Sequence, residues 1–318
     1  MSLRFSGRGW LWCVFAIVAV ALAVQVSTRA VGQAPASGSP AGSSSSGVSS
    51  GIDKRENINY AGSNLPRQTL DLYLPTTPGK HPLVIWIHGG GWRAGSKDRC
   101  GYTYLVNDGY AVASINYRLS VDATFPAQIH DCKGAVRFLR ANAAKYGIDP
   151  ERVGVIGGSA GGHLAALLGT TADVKELEGN IGGNLTQSSR VQAVVDLFGP
   201  TVLYSDRRED HLRLDFPGNP LWNLFGGQPS KMQELAKQAS PLFHVTKDDA
   251  PILMLHGTRD IIVELLHSEK LRDACVEQEI DHRLIVMEGA AHGGPQFGDD
   301  AARTAIREFF GKHLAQKK

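Results

Sequence analysis

The chain has 318 residues, 42% of them hydrophobic, and its 33 Lys and Arg against 31 Asp and Glu leave a formal net charge of +2. So even a balance gives no electrostatic support for nucleic-acid binding. The length past the N-terminal leader, roughly 270 residues, lies in the range that one α/β domain occupies with a large core.

Residues 1–32 read as a signal peptide. Arg4 and Arg8 precede an apolar stretch from Trp10 to Val24, and Ala30-Val31-Gly32 offers a small-residue cleavage site. The stretch is about fifteen residues, short of the roughly twenty that span a bilayer. Export to a secreted or periplasmic location is the expectation, with membrane attachment only if the leader stays uncut. Losing Arg4, Arg8 and Arg29 takes the formal charge to about −1. Residues 33–52, almost entirely Ser, Gly, Ala and Pro, read as a flexible linker, and 53–318 as a single folded domain. Cys100, Cys132 and Cys275 lie beyond the leader. A Cys100–Cys132 disulfide and buried free thiols are equal readings.

From there the pattern alternates. Strands are expected at Gln68–Leu74, Leu83–Ile87, Tyr110–Asn116, Arg152–Ile156, Val191–Phe198, Pro251–His256 and His282–Met287. A helix is expected over Ala127–Lys145, where Ile129, Cys132, Val136 and Leu139 recur at three- and four-residue steps and Gly147 stops the run. The alternation argues an α/β class with a mostly parallel sheet of about eight strands, helices on both faces and an antiparallel opening edge. Residues 200–249 interrupt it with an irregular stretch, charged at Asp206 to Asp210 and then aromatic at Phe216, Trp222 and Phe225. This reads as a small cap beside the site, making Trp222 and Phe225 candidate substrate contacts, with packing under a loop as the equal alternative.

Two glycine motifs carry the chemistry. Gly157-Gly158-Ser159-Ala160-Gly161 follows a β-branched strand and opens an alanine- and leucine-rich helix, the context of a nucleophile elbow. A serine on so sharp a turn needs neighbours without a Cβ, and the helix N-terminus behind it favours negative charge. About seventy residues earlier, His88-Gly89-Gly90-Gly91-Trp92 follows another strand, where an oxyanion loop belongs. The N–H groups of Gly90, Gly91 and Ala160 are the candidate oxyanion donors, and Trp92 is a candidate wall of the acyl pocket.

With these motifs the chain resembles the α/β-hydrolase serine esterases that carry HGGGW, the hormone-sensitive-lipase-like and bifunctional feruloyl and acetyl-xylan esterase group. Asn116-Tyr117-Arg118, Phe125-Pro126 leading to Asp131, and His256-Gly257-Thr258-Arg259-Asp260 extend the likeness, which runs from about Leu70 to the C-terminus. It implies an α/β-hydrolase fold and a Ser, Asp, His triad at Ser159, Asp260 and His292. The residues themselves point the same way, because Asp260 and His292 lie in loops after strands, on the rim that Ser159 occupies. One departure stands out: Ile261-Ile262-Val263-Glu264 replaces the family's proline-containing run after the acid. Asp196, inside a strand, is the rival acid.

His88 is expected to brace the glycine loop and His163 to bury along the helix. No histidine or cysteine spacing suits zinc, so a reaction without metal or cofactor is expected. The resulting reading is a secreted carboxylic ester hydrolase acting through an acyl-enzyme on small esters or acylated polysaccharide. An exopeptidase or amidase of the same fold, and a non-catalytic carbohydrate-binding homologue, are the alternatives.

Overall fold

Strand residues divide between two cores. On β3 (His81–Ile87), Leu83, Ile85 and Ile87 enter one hydrophobic cluster while Val84 enters another. On β5 (Ile148–Gly158), Val153 and Val155 join the first and Ile156 the second. Period-two alternation of apolar residues on both sides is what a sheet covered on both faces requires. The computed structural model describes residues 51–205 and 214–316, all within one compact unit, Ser49–Lys318. The leader, nearly all of the linker and the Asp206–Asp210 charges lie outside the described residues.

The sheet has eight strands in the order β1-β2-β4-β3-β5-β6-β7-β8. The others are β1 (Asp53–Asn59), β2 (Thr69–Leu74), β4 (Ala111–Ile115), β6 (Ala193–Leu197), β7 (Ile252–Gly257) and β8 (His282–Met287). β2 runs antiparallel to both of its neighbours, and from β4 to β8 every pairing is parallel. All those parallel strands therefore deliver their C-terminal loops to one edge. One face is covered by α1 (Ala127–Ala141), α3 (Ala160–Thr170) and α6 (Leu266–Glu277), the other by α7 (Asp300–His313). A methyl group on Gly154 would lie 2.7 Å from the Phe310 ring, so that glycine lets α7 approach β5.

Two details differ from the sequence pattern, and a third was left open by it. β1 was not expected, because Asp-Lys-Arg-Glu-Asn-Ile-Asn carries a single apolar residue. Its charged side chains suit an exposed edge, where pairing with β2 supplies order that hydrophobic patterning does not. The helix over 127–145 divides at Asn142 into α1 and a short α2 (Ala143–Tyr146), and Gly147 ends it at φ +65. The three cysteines among the described residues, Cys100, Cys132 and Cys275, are free, the thiol reading of the two: Cys100 and Cys132 pack on opposite faces of the sheet, out of reach of one another.

The described part of the 200–249 insertion contains two short helices, α4 (Pro220–Phe225) and α5 (Gln233–Gln238). The side chain of Asn219 accepts from Leu221 N–H and caps α4. Leu224, Phe225, Ala236 and Ala239 bury into the α3 side of the core.

Candidate active site

Ser159 sits between β5 and α3 at φ 55, ψ −121. A non-glycine residue held there is strained, and the surrounding glycines show what holds it. A Cβ on Gly157 would run into the Gly161 carbonyl, and one on Gly161 into the Ile87 carbonyl. Ser159 N–H donates to Leu197 O at 2.9 Å, tying the elbow to β6.

The loops after β7 and β8 bring two more side chains to it. His292 Nε2 lies 2.8 Å from Ser159 Oγ, and His292 Nδ1 lies 2.7 Å from Asp260 Oδ2. With a carboxylate at Nδ1, the proton of neutral His292 belongs on Nδ1, which leaves Nε2 as the acceptor for the serine hydroxyl. The Asp260 side chain is fully buried, and its other oxygen accepts the N–H groups of Ile262 and Val263, each at 2.9 Å. Two backbone donors and one imidazole satisfy a carboxylate that burial would otherwise penalise. His256, at the end of β7, backs the same acid. Its Nε2 donates to Val263 O at 2.8 Å and stands 3.4 Å from Asp260 Oδ2, while its Nδ1 accepts from Ser268 Oγ at 2.7 Å.

The rival acid, Asp196, is turned elsewhere. Its Oδ1 accepts Gly199 N–H at 2.9 Å, its Oδ2 is buried without a partner, and burial pushes its pKa up to about 7.

The HGGGW loop crosses the front of the elbow. A Cβ on Gly89 would lie 2.6 Å from Gly158 O and 3.4 Å from Ser159 Cβ, so only a glycine permits this approach. His88 Nδ1 donates to Gly89 O at 2.8 Å, and Gly90 O accepts Arg93 N–H at 3.2 Å and Ala94 N–H at 3.1 Å. Each trans peptide points its N–H opposite its C=O. Clamping the Gly89 and Gly90 carbonyls therefore turns the N–H groups of Gly90 and Gly91 the other way, and among the described residues neither has a protein acceptor. Ala160 opens α3, where helix geometry leaves its N–H free as well. The imidazole of His88 stacks on Tyr117 at 4.4 Å, and burial lowers its pKa to about 4, keeping it neutral.

The expected substrate contacts fare differently. Trp92 is 4% exposed and donates its indole N–H to His163 Nδ1, so it is packed and is no pocket wall. Phe225 is likewise 4% exposed within the core, the satellite-packing alternative. Trp222 is half-buried on α4. What the insertion does bring to the glycine loop is the Gly218 carbonyl, which accepts from the Arg93 guanidinium at 3.0 Å, and the Pro220 ring, which a Cβ on Gly91 would touch at 3.5 Å. Arg118 and Asp131 form a two-bond pair at 2.8 Å, with Asp131 fully buried and also accepting from Gln68 Nε2 at 2.8 Å, so the pair is structural.

Phe198 escaped sequence reasoning. It sits at φ 45 just past β6, with its ring 4.9 Å from His292 and 4.5 Å from Phe297. It fixes one face of the imidazole. An aromatic residue at a strand end gives no signal of this, because the contact is made between the connections that follow β6 and β8.

A parallel-sheet sandwich with a serine elbow at its C-terminal edge defines an α/β-hydrolase fold. The chain belongs to the BD-FAE family, whose model matches residues 70–275. It is 32% identical over 251 residues to Esterase LipC of Mycobacterium tuberculosis, covering 75% of this chain and 59% of that protein. The chain spans about half the length of the curated relatives it matches. Among solved structures, a truncated carbohydrate esterase from gut microbiota is 33% identical at a TM-score of 0.77, covering 85% of this chain and 99% of that one. A thermophilic esterase, Est2, from Thermogutta terrifontis is 25% identical at a TM-score of 0.66, with 84% and 95% covered.

Proposed function

We propose that this protein is a serine carboxylic ester hydrolase. The observation that carries the reading is the unbroken line from Ser159 Oγ through His292 to the buried Asp260, at 2.8 and 2.7 Å, beside a loop with two free N–H groups. His292 Nε2 takes the proton as Ser159 Oγ attacks the ester carbonyl. The carbonyl oxygen becomes an oxyanion that accepts from the N–H groups of Gly90, Gly91 and Ala160, each such donor contributing about 3 kcal/mol. His292 then gives its proton to the leaving alcohol, and water, deprotonated by the same imidazole, releases the acid from Ser159. Asp260 holds the Nδ1–H tautomer and stabilises the imidazolium.

For the substrate we propose acetyl or feruloyl esters on polysaccharide, met outside the cell after export by residues 1–32. The family and the carbohydrate esterase among its structural relatives support this choice. Ser159→Ala is expected to lower hydrolysis of 4-nitrophenyl acetate by at least about 10³-fold with circular dichroism unchanged. Retained turnover in the purified variant would overturn the mechanism. Acetylated xylan and methyl ferulate, assayed side by side, test the substrate class.

A further inference from the structure

The glycine loop is anchored from its far end. Trp92, its last residue, lies in the left-handed region at φ 56, with its indole buried. Its Nε1–H donates to His163 Nδ1 at 3.1 Å, and the two rings meet edge-on at 5.1 Å. His163 lies in the first turn of α3, fully buried, and its backbone N–H donates to Ser159 O at 2.9 Å. Its second ring nitrogen, Nε2, donates to Ala239 O at 2.6 Å. Accepting at one nitrogen and donating at the other defines a single neutral tautomer. Burial lowers the pKa of His163 to about 4, so that tautomer persists across the neutral range.

One imidazole thus joins three segments remote in sequence: the 88–92 loop, the nucleophile helix and the 200–249 insertion. We infer that His163 is a positioning residue that sets the geometry of the oxyanion loop, and that the insertion acts on the loop through Ala239. Three consecutive glycines have large backbone freedom, and a hole assembled from their amides works only if the donors are held before the charge develops. His88 clamps the loop's entrance and the Trp92–His163–Ala239 line clamps its exit. The Trp92 carbonyl also accepts Ser120 N–H at 2.7 Å, so the same residue ties down the irregular segment that follows β4. Both ring hydrogen bonds of His163 go to Trp92 and Ala239 and neither to a triad side chain, which separates its role from theirs.

The catalytic part of this inference rests on the ester-hydrolase reading. Three variants test it. His163→Phe removes both ring hydrogen bonds, Trp92→Phe removes the single indole donor while keeping aromatic bulk, and His163→Gln supplies one acceptor and one donor in place of the ring. In His163→Phe, kcat for 4-nitrophenyl acetate is expected to fall about 10- to 100-fold with KM within about threefold. Trp92→Phe is expected to lose less, and His163→Gln to recover part of the loss. A general loss of fold lowers all substrates alike. A loosened oxyanion hole instead lowers the preference for an ester over the matching thionoester, whose sulfur is a poorer hydrogen-bond acceptor. That rate ratio is expected to fall in both aromatic variants. Amide exchange at Arg93, Ala94 and Ser120, whose N–H groups bond to the Gly90 and Trp92 carbonyls of the loop, is expected to quicken in His163→Phe, and in Trp92→Phe if the first variant does not fold, while α3 amides stay protected. An unchanged ratio with unchanged loop exchange overturns the inference. Absence of Ser159-dependent turnover in the parent protein overturns the hydrolase reading instead, and the exchange measurement then decides whether His163 positions the loop.

Discussion

The two glycine motifs meet at one serine yet are held in opposite ways. In the elbow, the glycines at 157 and 161 are required by backbone packing: a methyl group on either would enter a neighbouring carbonyl. Backbone alone fixes that turn: β5 and α3 form it, and β3 and β6 pack against it through main-chain atoms. In the HGGGW loop, Gly90 and Gly91 are required by conformation, at φ 111 and 59, and the loop keeps its shape through side chains. His88, Trp92, His163 and Tyr117, whose hydroxyl donates to His88 O at 2.9 Å, hold it from outside. The nucleophile is therefore positioned by secondary structure and the oxyanion donors by tertiary contacts. A change to the first is expected to damage folding, and a change to the second to damage turnover.

The largest break in that contrast is Gly161→Ala. Its Cβ would fall against the Ile87 carbonyl at the contact of α3 with β3, so a loss of about 4 kcal/mol or more is expected. Thermal or urea unfolding measures it, and a parent-like midpoint would refute the packing argument. Gly90→Ala sits at the next level. Its Cβ meets the Ala94 carbonyl and its φ is unsuited to alanine, so the loop shifts while the sheet stays. About 1–2 kcal/mol of stability and roughly 10²-fold in kcat are the expected losses. Gly91→Ala, whose Cβ would meet nothing nearer than Pro220 at 3.5 Å, is expected to lose less of both. Equal effects at 161 and 90 would erase the distinction between the motifs.

The smallest effect expected is on pH. Burial lowers the folded pKa of His88, His163 and His267 to about 4 from 6.5. As pH falls below 6.5 the unfolded chain takes up these protons first, so the stability they permit above pH 6.5 is lost progressively down to about 4. Asp196 works with the opposite sign. Its folded pKa is raised from 3.8 to about 7, so its cost is absent below 3.8, grows through that window and is complete above 7. Asp196→Asn is therefore expected to gain on the parent by about 1 kcal/mol or more between pH 5 and pH 8. Unfolding midpoints at the two pH values give the comparison, and a gap that does not widen would contradict it.

Much of this was legible in advance where the physics is local. The parallel strands and the elbow follow from hydrophobic alternation and from glycines beside short strands, while the assignment of Ser159, Asp260 and His292 rests on the family resemblance together with their places after strands. β1 was not legible, because an edge strand exposed on its outer side needs no apolar pattern. Nor were the fates of Trp92 and Phe225. An aromatic residue near a catalytic loop packs or lines a pocket according to what stands opposite, and the imidazole opposite Trp92 belongs to a helix 71 residues further on.

By itself the sequence determined which residues stand at the C-terminal ends of parallel strands, since that depends on periods of two and on turns only glycine can make. Tertiary structure alone decided which aromatic rings are buried and what grips the glycine loop. Those outcomes depend on side chains from distant segments meeting in a dry interior, where each polar atom must find its partner.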